Sequence, residues 1–583
     1  MDYRREYENW CKNPVFDGAT RAELRALTDE KEIEDRFYKQ LSFGTGGLRG
    51  VIGAGTNRMN VYTVGKATQG LADFINSQFN GGKVVIAHDS RIMSKEFALD
   101  SALILAANGI AAYLFEDLRP TPELSYAVRA LKATAGIVIT ASHNPPQYNG
   151  YKVYLSDGGQ IVPPYDKMII EKVNAVTDYA DIRRVSRVEA EERGLLKIIG
   201  KEIDDGFIEE IKKLSLNPEA VSACGSKLKI VYTPLNGTGN LPVRRILKEM
   251  GFEKVWVVPE QEAPDGNFPT LKYPNPEDPA AFALALKLAK EKDADMVLAT
   301  DPDADRLGLY AKDENGEYMP FTGNMSGLLI AEYLLSQRRD KGLLPANPAD
   351  GAIVTTIVSS DMVFPMAEEY GLTVIRTLTG FKYIGEQIKL FEEAATYCGG
   401  IDGSKGAYAF QFGFEESYGC LTGTHARDKD AIAAVAVLCE AAAFYSLSGK
   451  TLPEVMREMY RKYGWYKEDL FSLTLNGADG ANRIAEVCER FRNEPPQRVG
   501  GRRVLEIWDC KSGIVRKADG SIRGTELPSS NVLYFELENG GWCCIRPSGT
   551  EPKIKFYCGA KGNSEDEAIA ELKNISDSIK KFL

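Results

Sequence analysis

VVIAHDSRIMSKEFALDSALILAANGIAAYLF, residues 84–115, decides the fold. An apolar run (VVIAHDS) leads into a helical stretch (KEFALDSALILAANG), whose closing glycine stands where a helix must stop, and then into a second apolar run (IAAYLF). That order is a βαβ unit, with the runs as neighbouring strands and the glycine ending the helix between them. It returns in 228–258, as LKIVYTP, a Gly-rich turn from Asn236 to Asn240, the helix PVRRILKEM, Gly251 and VWVV. A third pass fills 352–378, with AIVTTIVSS, the helix DMVFPMAEEY, Gly371 and TVIRTL. Recurrence of one supersecondary unit predicts an α/β protein with three similar mixed α/β domains in series.

The rest of the chain frames these units. Residues 1–40 are charged and helical in pattern, a cap or extension; PEVMREMYRKY (453–463) reads as a linking helix with proline at its start. From about 466 the pattern shifts to short strands (LFSLTL, NVLYFEL, GWCCIR, IKFYCG) with helices at 480–492 and 564–582, an α+β fourth domain. The expected boundaries are 1–205, 206–317, 318–465 and 466–583.

Composition narrows the function classes. The chain has 583 residues, 44% of them hydrophobic and 26% charged, and a formal net charge of −11. A net negative field argues against nucleic acid or an anionic membrane as partner, while leaving room for a small anion held by local Arg and Lys clusters. The N-terminal MDYRREYENW has no apolar core of a secretory signal, no run approaches a membrane span, and the ten Cys show no CxxC pair. A cytoplasmic protein with reduced thiols is expected.

Four motifs carry chemistry. TASHNPPQYNGYKV (140–153) follows the apolar run AGIVI and places Ser142 in a turn after a strand, among the turn formers Asn144, Pro145, Pro146, Asn149 and Gly150. Taken alone, the Ser-His dipeptide reads as a plain turn before it reads as a catalytic serine. A serine hydrolase fares worse: no GxSxG surrounds Ser142, and neighbours on an extended segment point apart, which would leave His143 poorly placed as base, with only His88 and His425 elsewhere. DPDADR (301–306) closes the strand DMVLAT, and three carboxylates at i, i+2 and i+4 repel one another unless a hard divalent cation neutralises them. An EF-hand is excluded, because Arg306 and Lys312 replace its glycine and its bidentate glutamate; a solvated acidic turn stays open. GFEESYG (413–419) would present Glu415 and Ser417 to one side of an extended loop, an acceptor and a hydroxyl suited to a sugar, or else is a solvated acidic loop. RPSGTEPKIKFY (546–557) combines Arg546, Ser548, Thr550, a Gly-containing turn, Lys553 and Lys555 into an anion nest, against the alternative of a basic surface turn. SFGTGGLRG (42–50), with Arg49, and NRMN (57–60) add a glycine-rich segment that is uninformative by itself.

In this order the motifs resemble the α-D-phosphohexomutase superfamily, and most of all its phosphoglucomutase branch, from about residue 40 to the end. The resemblance implies three related α/β domains and an α+β domain around one central cleft. It implies that Ser142 carries a phosphoryl group and that Ser142, Asp301, Asp303 and Asp305 form the site of one Mg²⁺, with Arg306 beside them compensating phosphate charge. Glu415 and Ser417 match residues that grip sugar hydroxyls; Thr379, Gly380 and Lys382 in TLTGFKY match a neighbouring specificity loop. Arg546, Ser548, Gly549, Thr550 and Lys555 match the distal phosphate cradle. Arg49, His143 and Lys152 match cationic or proton-handling residues near the phosphoserine, and Lys429 in HARDKD matches a lysine proposed as general acid/base. Pro302, Phe414 and Tyr418 depart from the commoner pattern in the way of bacterial phosphoglucomutase and phosphopentomutase-type relatives, which puts the sugar in doubt.

The implied reaction interconverts glucose 1-phosphate and glucose 6-phosphate through glucose 1,6-bisphosphate, with Lys429 brought toward neutral pKa by neighbouring cations. Closure of the fourth domain through the 453–466 linker would exclude water. Alternatives are a phosphopentomutase or phosphomannomutase, a glucose 1,6-bisphosphate synthase, a Mg²⁺-dependent phosphatase, or a non-catalytic sugar-phosphate-binding regulator. Small sugar phosphates are the expected partners, and the oligomeric state is left open.

Overall fold

A computed structural model describes residues 2–44, 46–398, 406–475, 477–547 and 553–583. The stretch that decides the fold forms β2 and β3 of a six-stranded sheet built from β1 (Gly47–Val51), β2 (Lys83–His88), β3 (Ala111–Phe115), β4 (Ala135–Ile139), β5 (Tyr148–Leu155) and β6 (Leu196–Ile199), in the order β1-β5-β4-β2-β3-β6. β2 lies parallel to β3 and β4, and β5 returns antiparallel to β4. The helix Ser94–Ala107 covers one face, burying Phe97, Ala98, Ala102 and Leu105 in a cluster with Val84, Ile86 and Ile137.

The second sheet holds β7 (Lys229–Thr233), β8 (Lys254–Val257), β9 (Met296–Thr300), β10 (Leu307–Lys312) and β11 (Tyr318–Phe321), ordered β11-β10-β9-β7-β8. The third holds β12 (Gly351–Thr356), β13 (Thr373–Thr377), β14 (Ala409–Glu415) and β15 (Gly419–Leu421), ordered β13-β12-β14-β15. The repeat therefore goes further than a βαβ unit. Each sheet adds a third parallel strand beside the first (β4, β9, β14) and then reverses into an antiparallel return (β5, β10, β15). Ser142, the Asp301–Arg306 run and Glu415–Tyr418 each occupy or border that same turn, at the carboxyl end of the third strand, where α/β sheets place their ligands.

The three helix-stopping glycines all take left-handed backbone, with φ of 76° at Gly109, 107° at Gly251 and 70° at Gly371, which favours a residue without a side chain. Residues 2–39 form the helices Tyr3–Lys12, Gly18–Arg25 and Glu30–Phe37; Trp10 and Phe37 from the helices and Phe16 from the first connection pack with Tyr62. The linking helix runs Leu452–Tyr463 behind a Thr451–Glu454 capping box.

Beyond it, β16 (Trp465–Thr474), β17 (Arg498–Val499), β18 (Arg502–Asp509), β19 (Ile514–Lys517), β20 (Ile522–Gly524), β21 (Leu533–Leu537), β22 (Trp542–Pro547) and β23 (Lys553–Gly562) make an antiparallel sheet, with helices Gly477–Asn493 and Glu565–Lys581. The hairpin strands between 498 and 524 lacked a pattern in the sequence, since RRVLEIWD does not alternate and the others are two to four residues long. Among the described residues no helix is long and apolar enough to cross a membrane.

Candidate active site

β4 is buried along its whole length and delivers Thr140–Ser142 to the surface of the sheet. Ser142 has φ 52°, in the left-handed region, and its N–H donates to Thr140 Oγ1 at 2.8 Å. The turn is clamped by Arg91, a fully enclosed side chain that donates to the carbonyls of Ser142 (2.6 Å), Asn144, Pro145 (2.8 Å) and Tyr148 (3.1 Å), and whose guanidinium lies 5.0 Å from the Phe268 ring. Arg49, on β1 opposite Gly150, donates to Asn144 Oδ1 at 3.1 Å.

The left-handed turn changes the expectation for His143. On extended backbone the two side chains would diverge, whereas here His143 Nδ1 stands 3.2 Å from Ser142 Oγ. Burial, followed by the charges of Arg306 and Arg49, holds the His143 ring well below the usual imidazole value, so it is neutral at pH 7. His88 and His425 bond instead to the Asp89 carbonyl and to Asp430.

The acidic loop meets this serine. Ser142 Oγ donates to Asp301 Oδ2 at 2.6 Å, and the N–H groups of Asp305 and Arg306 donate to Asp301 Oδ1 at 3.1 and 3.0 Å. Asp303 Oδ2 accepts from Lys152 Nζ at 2.7 Å and from Thr121 Oγ1 at 2.9 Å. Lys152 Nζ also lies 3.4 Å from Asp305 Oδ2, and Lys429 Nζ lies 3.0 Å from the same oxygen. All three aspartates are buried, which removes the solvated-turn alternative. Asp303 Oδ1 and Asp305 Oδ1 are buried without a hydrogen-bond partner, and one ligand oxygen from each of the three aspartates falls within 4.8 Å of the others. Orphaned carboxylate oxygens converging in this way fit a hard cation, because unpaired buried charge is otherwise costly.

Charge within the centre is divided unevenly. Burial, with Asp303 and Asp305 nearby, pushes Asp301 well above the usual carboxylate range. Burial also works against ionised Asp303, but Lys152 outweighs it and holds that carboxyl far below the range. For Lys429 the sequence-level expectation is reversed. Burial lowers it, yet Asp305, Asp428 and Glu415 together prevail and hold the ammonium well above the ordinary lysine value. The surrounding charge is mainly carboxylate, so Lys429 is a charged donor at rest.

The sugar loop also differs locally from expectation. Glu415 ends β14 and is buried, but residues 416–418 turn toward β15 and Tyr418 has φ 65°, so the alternation of an extended strand does not relate Glu415 to Ser417. Glu415 Oε1 stands 3.8 Å from Lys429 Nζ. Glu416 accepts from Thr356 Oγ1 at 3.0 Å and is pushed up to about 7 by burial and by Glu415. Arg306 pairs with Glu277.

The cationic residues assigned to the distal cradle sit on the fourth sheet, where Arg546 on β22 pairs in register with Lys555 on β23. Burial lowers Lys555, and Arg546 adds to the effect. Thr379 and Gly380 precede the helix Phe381–Cys398, which carries Lys382; burial lowers Lys382 as well, with a smaller contribution from Arg546. Ser548, Gly549 and Thr550 lie outside the described residues. The sequence reading missed Arg91, Thr121, Asp428 and Glu416. Arg91 lies inside the stretch that decided the fold, but nothing local shows that its carbonyl partners are some fifty residues away.

Models of phosphoglucomutase/phosphomannomutase α/β/α domains I, II and III match residues 40–180, 205–316 and 322–463, and the model of the C-terminal domain matches 515–573. The phosphoglucomutase of Staphylococcus saprophyticus is 36% identical over 92% of this chain and 94% of its own. The chain belongs to the phosphoglucomutase/phosphomannomutase family. It is a phosphohexomutase of the α-D-phosphohexomutase superfamily, with the α/β architecture of that group. The phosphoglucomutase of Staphylococcus aureus is 35% identical over 93% of this phosphohexomutase and 94% of the relative. In fold it is similar to a phosphoglucomutase/phosphomannomutase family protein from Burkholderia thailandensis (TM-score 0.65, 20% identity, 94% of this chain and 97% of that one). It is also similar to the open form of Paramecium parafusin (TM-score 0.66, 18% identity, 94% of each chain).

Proposed function

We propose that this phosphohexomutase interconverts glucose 1-phosphate and glucose 6-phosphate through a phosphate carried on Ser142. One observation carries the reading: the Ser142 hydroxyl is held in a left-handed turn 2.6 Å from a carboxylate of the buried aspartate centre, which Lys152 and Lys429 flank. The staphylococcal phosphoglucomutases support glucose as the sugar. Division of the chain near 205, 317 and 465 is supported by the four separate sheets.

In the proposed cycle the Oγ–P bond of phospho-Ser142 breaks as a P–O bond forms to the free hydroxyl of the sugar monophosphate. The hydroxyl proton leaves, and Ser142 Oγ recovers one. The product, glucose 1,6-bisphosphate, turns over and returns its other phosphate to Ser142. Mg²⁺ held by Asp301, Asp303, Asp305 and an oxygen on Ser142 would supply charge neutralisation and polarisation of the phosphoryl group. Lys152, Arg49 and Arg306 add positive charge around the serine loop, and neutral His143 offers a nitrogen beside Oγ. Lys429 takes the acid/base role and, being charged at rest, begins as the acid. Glu415 and Ser417 take sugar hydroxyls, aided by Thr379, Gly380 and Lys382, and Arg546, Lys555 and the 548–550 turn take the distal phosphate.

Intact-mass measurement of the purified protein, with peptide mapping, should find one covalent phosphate on Ser142. Ser142→Ala should abolish turnover while sugar-phosphate binding persists; wild-type-like turnover would overturn the phosphoserine mechanism. A coupled assay of glucose, mannose and ribose 1-phosphates should rank glucose first, and a preference for ribose would remove the glucose assignment alone.

A further inference from the structure

The loop that carries Lys429 is docked on the first α/β unit, against its helix Thr121–Ala130. Arg129 donates to the carbonyls of Thr424 and His425, and the N–H of Arg427 donates to Ser125 Oγ at 2.8 Å. Between these contacts and the catalytic centre, Tyr154 OH donates to Asp428 Oδ2 at 2.8 Å. Both side chains are buried. Asp428 Oδ1 accepts from the Lys429 N–H at 2.9 Å and lies 3.5 Å from Lys429 Nζ. On the other side, Asp430 caps the helix Ala431–Ser446 and its own N–H donates to the Cys420 carbonyl, so the backbone around Lys429 is held from both flanks.

Tyr154 lies on β5 two residues after Lys152, so both point to one face of the strand. Lys152 uses that face to reach Asp303, and Tyr154 uses it to reach Asp428. For packing among Val85, Phe115, Leu124 and Val138 a phenyl ring would suffice. The hydroxyl's bond is to Asp428, and losing it would strand a buried carboxylate oxygen.

We propose that Tyr154 and Asp428 form a positioning pair that fixes Lys429 relative to the phosphoserine strand. A single strand then sets both sides of the transfer: its start follows Ser142, and its far end aims the residue that handles the proton. This rests on the acid/base reading of Lys429, and the experiment separates the two.

Steady-state kinetics are compared for Tyr154→Phe, Lys429→Met and the double variant, with thermal midpoints as the folding check. Lys429→Met should lower kcat by about 10²- to 10⁴-fold, the range for a lost general acid or base. Tyr154→Phe should lower kcat by about tenfold or more with KM within about twofold, the scale of a small misplacement of a reacting group. In the Lys429→Met background Tyr154→Phe has nothing left to aim, so the double variant should match Lys429→Met. Wild-type kcat in Tyr154→Phe, or a full multiplicative loss in the double variant, would overturn the positioning role and leave Lys429's role standing. Wild-type kcat in Lys429→Met would overturn the reading of Lys429 itself. Asp428→Asn, which keeps the size and one acceptor oxygen, serves if Tyr154→Phe folds poorly. It too should lower kcat by about tenfold with KM little changed, and unchanged kcat would overturn the inference.

Discussion

Three motif loops each hold a side-chain-bearing residue in left-handed backbone: Ser142 at φ 52°, Ala304 at 51° and Tyr418 at 65°. Each costs about 1–2 kcal/mol relative to ordinary backbone, and the surrounding contacts must supply it. For Ser142 the Arg91 clamp does so. The Tyr418 turn also makes room for catalysis. A Cβ built on Gly419 would lie 2.1 Å from Lys429 Cδ, so the last glycine of GFEESYG leaves the channel for the lysine stem. Gly419→Ala should therefore lower kcat by about tenfold or more with a smaller change in KM, measured in the coupled assay. At the aspartates, Mg²⁺ should relieve repulsion between buried carboxylates. At a hundred times its Kd it would stabilise the protein by about 2.7 kcal/mol, seen as a raised thermal midpoint that chelation reverses. Asp303→Asn should blunt that response. The motifs supplied these residue types, but the convergence of His143 on Ser142 was hidden, because it depends on one φ angle.

At the scale of elements, β16 joins the fourth sheet to the third α/β unit through Glu468, which accepts from Asn324 Nδ2 at 3.1 Å. Burial pushes Glu468 up to about 7 from an ordinary 4.5. A carboxyl raised in the folded state contributes stability that is fully present below the unfolded value and is lost as pH rises through the folded one. The loss over the window from about 4.5 to about 7 amounts to at most about 3 kcal/mol, discounted for the solvent contact that the half-buried side chain keeps. Glu468→Gln should flatten it, so denaturation midpoints at about pH 5 and about pH 8 should differ less in the variant; equal falls would contradict the assignment. The βαβ elements were legible because burial of both sheet faces imposes continuous apolar runs. The return strands β5, β10 and β15 were not, since YNGYKVYL and LGLYAK are interrupted by glycine and polar residues and GCL is only three residues long.

Across the whole molecule, the fourth domain is seated on the third by Ile357, Val358 and Leu378 against Val532, Tyr534, Trp542 and Tyr557. Arg376 on β13 lies 4.8 Å from the Trp508 ring and 5.7 Å from that of Tyr534, a cation–π contact across the same junction. Arg376→Ala should loosen this seat and admit water, so phosphate release per sugar isomerised should rise over wild type; an unchanged ratio would show that the contact does not govern closure. The sequence by itself determined the repeated α/β units, the α+β fourth domain, the chemistry-bearing loops and their order, because strand burial, helix stops and carboxylate repulsion act within a few residues of one another. Only the tertiary structure decided that the loops share one topological position, that Lys152 and Lys429 bracket Asp305, that Tyr154 reaches Asp428, and that Lys429 is charged. Those outcomes turn on groups more than a hundred residues apart, Asp305 beside Lys429 and Tyr154 beside Asp428, in a low-dielectric interior where the charge of such a neighbour decides a pKa.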